Sequence, residues 1–282
     1  MITLQSLAGL FGISPQTIRM YERYGILRLD RSASNNYRVF DFNAFTALIK
    51  SRILQGFGFK MKDITRMMNN MNYEEIIRSL DRQSDLLGDE IVMLERRKKA
   101  LDALTASIRE IQEKQGTCDL VTSPGYYLYP VLEGETVRSI PGRAFLKSLN
   151  EYAFLRQDVD LIPRSALADG KHVYDICYGI EEAHAHAYGL RMEGAIHIPS
   201  RTCVKAYFTC PAASIDSYVR HLQFALDFME AHRLALNGDI LLFLPFTSGS
   251  ADGIYYHYAL LPVTDDSAQS LLSPCEPAAK SL

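Results

Sequence analysis

Apolar residues recur at helical spacing from the start of the chain, at Leu4, Leu7, Ala8 and Leu10-Phe11. Gly12-Ile13-Ser14 interrupts the repeat, and Pro15-Gln16-Thr17-Ile18-Arg19-Met20-Tyr21-Glu22 begins another, so the pattern predicts two short helices joined by a turn. Gly12 can take a positive φ at the end of the first helix, Ser14 can cap the second, and Pro15 suits its first position. Further on, Phe42, Phe45, Leu48-Ile49 and Ile53 repeat as a helix from a start at Asp41 or Asn43, and Gly56-Phe57-Gly58 ends it. Met61, Ile64, Met67-Met68 and Met71 mark a short amphipathic helix whose methionines read as core filling.

From about Glu74 to Gln115 there is no proline and a single glycine, Gly88. Leu87, Leu94, Leu101 and Ile108 return every seven residues, with Leu104 and Ile111 three after the last two, and charged residues fill most other places. Such heptads predict a coiled-coil helix whose apolar seam needs a partner. A second copy of the chain is the expected one; the alternative is packing on the chain's own C-terminal part.

After Gly116-Thr117 the pattern becomes β-rich, in runs at Tyr126–Tyr129, Val173–Tyr178, Cys203–Phe208, Ile240–Leu244 and Ile254–Leu261. A helix is predicted from Ser214 to about Arg233 and another from Ala144 to Leu155, and the tail after Asp265 is expected to be flexible. This is the pattern of an α+β domain. The chain therefore divides into residues 1–75, a dimerisation helix over 76–117, and a domain over 118–282.

The second helix exposes Gln16, Thr17, Arg19 and Arg23, side chains that can meet base edges and phosphates in a major groove. A helical hairpin with a solvated polar face is the plain alternative. Motifs spread over the first sixty-four residues narrow the choice. Arg19-Met20-Tyr21-Glu22, Gly25-Ile26-Leu27, Asn36-Tyr37-Arg38 and Gly58-Phe59-Lys60-Met61-Lys62-Asp63-Ile64 stand in the order in which similar motifs stand in the MerR family of transcription activators. The chain resembles that family through these motifs, in fixed order over about sixty residues. It departs in having Met20 for an aromatic residue, Leu29 for a proline and Asn36 for a glycine; Asn tolerates the left-handed turn that Gly would serve.

The resemblance implies a winged helix-turn-helix over 1–75, an antiparallel coiled-coil homodimer, and activation by distortion of a promoter so that RNA polymerase can engage it. Thr17, Arg19, Tyr21, Arg23, Tyr37, Arg38 and Lys60 are the expected DNA contacts. The segment from Ile198 to Pro245, strand then helix then strand, with the closing strand from Ile254, resembles the GyrI-like effector-binding domain found behind MerR heads in multidrug-sensing activators. That implies a small aromatic or lipophilic ligand.

Twelve of the sixteen tyrosines lie after residue 120. Tyr favours strands, and its ring can also line an apolar pocket. The expected lining is Tyr127, Tyr129, Tyr152, Tyr174, Tyr178, Tyr207, Tyr255 and His257. In the sensors that the domain resembles, a carboxylate on the last strand answers a cationic ligand; here that strand reads Ile254-Tyr255-Tyr256-His257-Tyr258-Ala259-Leu260, and His257 stands about where the acid would be. Glu181-Glu182 could supply an acid instead, although a solvated turn is the plainer reading.

Composition and charge bear on partners. Residues 1–75 carry ten Lys/Arg against six Asp/Glu, and residues 118–282 carry twelve against nineteen, so a mildly basic head stands on an acidic body, as suits a site-specific DNA binder. No apolar run is long enough for a membrane span and no charged leader precedes an apolar stretch, so a cytoplasmic chain is expected. The five cysteines have no CxxC pair, which argues against a structural zinc site or a disulfide framework. Cys118 follows the long helix, where metal sensors of the family carry ligands, but has no thiol neighbour there. His184 and His186, two apart, would share a face of a strand, with no third ligand in view. No cofactor, metal or catalytic residue is expected. The alternatives are a GyrI-like hydrolase using, for example, Glu181 beside Tyr255, and a metal or redox sensor acting through Cys118.

Overall fold

Helix α1 (Leu4–Phe11) and helix α2 (Pro15–Arg23) form where the periodicity places them. A computed structural model describes residues 4–27, 30–31, 38–39, 41–133, 136–137, 152–165, 174–211, 218–248 and 253–264. Gly12 takes a φ of 62° at the turn, and the Ser14 side chain accepts the Thr17 amide at 3.1 Å with Pro15 opening α2. The two-residue strands β1 (Asp30–Arg31) and β2 (Arg38–Val39) pair antiparallel. The rest of the expected wing, most of the helix expected from Ala144, and the tail after Asp265 lie outside the described residues.

Asp41 caps α3 (Phe42–Gly56), its carboxylate accepting the Ala44 amide at 2.7 Å, and α4 (Met61–Asn69) comes next. Leu7, Ile18, Tyr21, Leu27, Leu48 and Ile64 close one core across α1 to α4. Helix α5 (Tyr73–Glu113) starts at a reciprocal cap: the Asn72 side chain accepts the Glu75 amide and the Glu75 carboxylate accepts the Asn72 amide, both at 2.9 Å, which satisfies two helix-terminal donors at once. Along α5 only Ile111 is buried, while Leu86, Leu87, Ile91, Val92, Leu94, Leu101 and Leu104 are exposed in the single chain.

The chain divides into two compact units, Met1–Glu95 and Arg96–Leu282. The second is built on a nine-stranded antiparallel sheet of β3 (Cys118–Ser123), β4 (Tyr126–Glu133), β5 (Thr136–Val137), β6 (Gln157–Ile162), β7 (Asp175–Glu181), β8 (Ile196–Ile198), β9 (Arg201–Pro211), β10 (Ile240–Thr247) and β11 (Ile254–Pro262). Its order is β3-β9-β11-β10-β6-β7-β4-β5, with β8 also on β4. One three-strand arrangement occurs twice. In β4, β6, β7 and again in β9, β10, β11 the last strand lies between the first two, and the copies join where β10 pairs with β6.

Helices α6 (Glu182–Ala187), α7 (Tyr218–His221) and α8 (Gln223–Ala231) complete the unit. The helix expected as one piece from Ser214 to Arg233 is, in its described part, α7 and α8 with a break at Leu222; residues 212–217 lie outside the described set. His184 and His186 lie on α6 rather than on a strand, so their spacing sends them to different sides of a helix. Residues 153–155 form a 3-10 turn.

Side-chain alternation gives the sheet two interiors. Val204, Ala206, Phe208, Leu242, Ala259 and Leu261 pack against Leu222, Ala225 and Met229 around α7 and α8. Cys203, Leu241, Phe243, Leu260, Val159 and Tyr126 pack on the opposite face.

Candidate functional site

In the first unit, Arg19 and Arg23 are exposed one helical turn apart on α2, and Lys60, at the start of α4, is exposed as well. Thr17 is half-buried, and its hydroxyl is bonded to the Ser14 hydroxyl at 2.9 Å, within the cap. Tyr21 is 1 % exposed. Its ring belongs to the core and its hydroxyl donates to Gln55 Oε1; burial pushes its pKa up against the charge of Arg52. The motif puts Tyr21 at DNA, but the apolar stripe of α2 takes it inward instead. Tyr37 and the Arg38 side chain lie outside the described residues.

In the second unit a cavity of about 450 Å³ opens between the C-terminal half of α5 and the sheet. Helix α5 supplies Arg97, Leu101 and Leu104; the 3-10 turn and β6 supply Phe154, Arg156, Gln157 and Asp158; β7 and α6 supply Glu181 and His184; β10 and β11 supply Phe243, Pro245 and Tyr258. The Phe243 and Tyr258 rings stack with centroids 4.5 Å apart and planes within 9°, and Tyr126 lies 5.1 Å from Phe243. Tyr126 and Tyr258 share a side-chain hydrogen bond. Burial, then the neighbouring hydroxyl and Glu181, hold Tyr258 far above the usual phenol range, so it stays protonated. Arg156 reaches Asp158 at 3.6 Å and lies 4.7 Å over the Tyr178 ring. Glu181 lies 3.6 Å from His184.

None of the eight residues expected at a ligand borders this cavity. Tyr127, Tyr129 and Tyr178 stand at the alternate positions of their strands and pack against Ile180 and Ala185. Tyr152 meets the edge of Tyr188. Tyr174 and Tyr255 pack on the core beneath α7 and α8. His257, wholly buried, stacks on Phe208 at 5.1 Å and has Nδ1 3.2 Å from the Phe243 carbonyl. Burial lowers its pKa to about 4, so it is neutral at neutral pH. Tyr255 and Glu181 serve different faces of the sheet, so the pair that a hydrolase would need is not assembled.

Tyr207 holds α5 to the sheet. Its hydroxyl bonds Glu110 at 2.8 Å and Asp119 at 3.0 Å, Lys205 donates to Glu110 at 2.7 Å, and Lys114 to Asp119 at 2.5 Å. Burial opposes ionisation of Glu110, but hydrogen bonds from Lys205 and Tyr207 outweigh it and keep the carboxyl below its ordinary range. Burial, with the charge of Asp119, pushes the Cys118 thiol up to about 11, the reverse of what a metal-binding or redox-active thiolate needs.

Sequence reasoning reads Glu181 chiefly as a turn residue and passes over Gln157, Phe243 and Tyr258. The signal that could find them is strand parity about β10 and β11, which becomes informative only once the cavity's side of the sheet is known.

Residues 2–71 match the family model described as MerR HTH family regulatory protein, so the N-terminal segment is of that type. No curated protein matches the chain. Among solved structures, the chain is similar to HiNmlR, described as a MerR family regulator lacking the sensor domain, bound to promoter DNA, with 25% identity and a TM-score of 0.32 over 39% of this chain and 92% of that one. It is also similar to EcmrR in a cryo-EM structure of its DNA complex, with 14% identity and a TM-score of 0.31 over 92% of this chain and 98% of that one.

Proposed function

We propose that this chain, with a MerR-type helix-turn-helix segment over residues 2–71 as the premise, is a ligand-responsive transcription regulator that binds promoter DNA as a homodimer. The observation that carries the reading is that match, together with Arg19, Arg23 and Lys60 held out from a formed core. Arg19 and Arg23 enter the major groove, Lys60 meets phosphate, and Tyr37 and Arg38 of the wing contact the backbone. The exposed apolar seam of α5 supports pairing with a second copy, since a helix that leaves Leu87, Ile91 and Leu94 in water gains by covering them.

The C-terminal unit is a GyrI-like effector domain, and the repeated three-strand arrangement with a cavity on one face supports that reading. Its ligand is a small aromatic molecule lying on Phe243 and Tyr258. Occupation of a cavity whose wall is α5 shifts the regulator toward the state that distorts the promoter and lets RNA polymerase engage it. Deforming a duplex of this length costs a few kcal/mol, within reach of two heads with several phosphate contacts each.

The test is binding of the purified protein to its own upstream intergenic DNA across salt concentrations, with an aromatic library screened for thermal stabilisation of the same sample. Specific, salt-sensitive binding that falls about ten-fold or more in Arg19→Ala supports the reading. Operator affinity left intact by Arg19→Ala would mean that α2 is not the reading helix.

A further inference from the structure

Gln157 opens β6 on the face that Val159 and Leu161 share, the side of the cavity. It pairs in register with Gly179 of β7, where a Cβ would come within 2.6 Å of Val159 Cγ2, so β7 has no side chain directly opposite Gln157. Gln157 Oε1 is buried and accepts no hydrogen bond from any described residue. A buried acceptor left unpaired is costly, and folded proteins keep such atoms where something else satisfies them. The residue that carries it lines a cavity with room for a drug-sized ligand.

The other polar groups of the cavity are differently placed. The Tyr126 and Tyr258 hydroxyls bond each other, and Arg156 lies over the Tyr178 ring with its Nε 3.6 Å from the exposed Asp158 carboxylate. The Glu181 carboxylate, about a quarter exposed, stands 3.6 Å from His184, beyond hydrogen-bond distance. Gln157 and Glu181 therefore bring acceptor oxygens to the lining of the cavity, which also includes the stacked Phe243 and Tyr258 rings.

Building on the reading of this cavity as the effector site, we infer that Gln157 is a specificity determinant selecting planar aromatic amines and amidines, ligands that donate N–H hydrogen bonds, over fully alkylated aromatic cations of the same shape. An N–H donor satisfies Oε1 on binding, whereas an N-alkyl group covers the acceptor and leaves it unpaired.

The experiment compares 9-aminoacridine, a protonated ring system with N–H donors, with N-methylacridinium, a cation of similar outline with none. Both are titrated into the full-length protein by calorimetry. The expected result is at least about ten-fold tighter binding of 9-aminoacridine, with the preference lost in Gln157→Leu while the affinity for N-methylacridinium is unchanged. The unliganded Gln157→Leu protein should melt no lower than wild type, because the substitution removes an unsatisfied acceptor at similar volume; Gln157→Met serves if the branched side chain prevents folding. Equal affinities in the wild type overturn the inference and leave the cavity reading standing, as does a preference that survives in both variants. Binding of neither compound overturns both.

Discussion

His257 and Tyr258 are consecutive in β11 and serve opposite faces of the sheet: His257 stacks on Phe208 in the core beneath α7 and α8, and Tyr258 stacks on Phe243 at the cavity. One step along a strand reverses the face. His257, which stands in the sequence about where an acid would be, therefore packs in the core away from the cavity, and of the two acids that line the cavity, Asp158 and Glu181, the latter comes from the end of β7.

Substitution should separate these roles. Glu181→Gln is expected to weaken binding of 9-aminoacridine about ten-fold, the usual scale for losing a charged acceptor, while His257→Phe leaves it within about two-fold. Calorimetric titration of each variant reads both outcomes, and a large effect of His257→Phe alone would move the ligand to the other face.

Acid should weaken the second unit through His257. Its folded pKa of about 4 lies below the ordinary value of 6.5, so the unfolded chain binds the extra proton first and stability falls as pH drops from about 6.5 toward 4. The expected loss between pH 7 and pH 4.5 is about 2–3 kcal/mol from this group. Urea melts of wild type and His257→Phe at the two pH values should show a smaller pH dependence in the variant.

The Glu110 anchor should be separable from the cavity. Glu110→Gln removes the negative charge and one of the two acceptor oxygens that Lys205 and Tyr207 use. It is expected to cost about 1–2 kcal/mol, the lower part of the range because the carboxylate is a third exposed. Thermal melts of the variant at low and high salt should converge as salt screens the remaining Lys205 and Lys114 charges.

In the head, burial and exposure predict opposite phenotypes on one helix. Tyr21, in the core, should cost about 3–5 kcal/mol on replacement by Ala, as for other large aromatic core truncations. Arg19→Ala, on an exposed position, should leave the melting temperature unchanged and lower operator affinity. Far-UV circular dichroism melts beside DNA titrations distinguish the two.

Close packing makes Gly179 a further point of sensitivity. A Cβ there would meet Val159 Cγ2 at 2.6 Å and Leu128 Cδ2 at 3.3 Å, and a β-branched side chain has little freedom to move aside. Gly179→Ala should destabilise the protein by about 1–3 kcal/mol, read by denaturant midpoint.

Features that depend on neighbouring residues are legible in the chain alone. The Ser14 cap with Pro15, the Gly12 turn, the Asp41 start of α3 and the length of α5 result from backbone hydrogen-bonding and φ preferences within a few residues. The β-rich runs at β4, β7, β9, β10 and β11 carry enough Tyr, Ile and Val to read as strands. The strand β6, with two aspartates among its six residues, does not. A spacing of two reads His184 and His186 as strand neighbours, although Glu182-Ala183-His184-Ala185 favours the helix it forms.

The sequence by itself determined the order of the helices up to α5 and of the main β-rich runs, the helix-turn-helix with its exposed arginines, and the apolar seam of α5, because each rests on short-range periodicity. Tertiary structure decided which side of each strand meets the cavity, that Tyr21 lies inside the head and Tyr207 beneath Glu110, and that Gln157 of β6 and Glu181 of β7 line one cavity. Those choices depend on strand register and on which layer covers which face, set by packing between residues far apart in the chain.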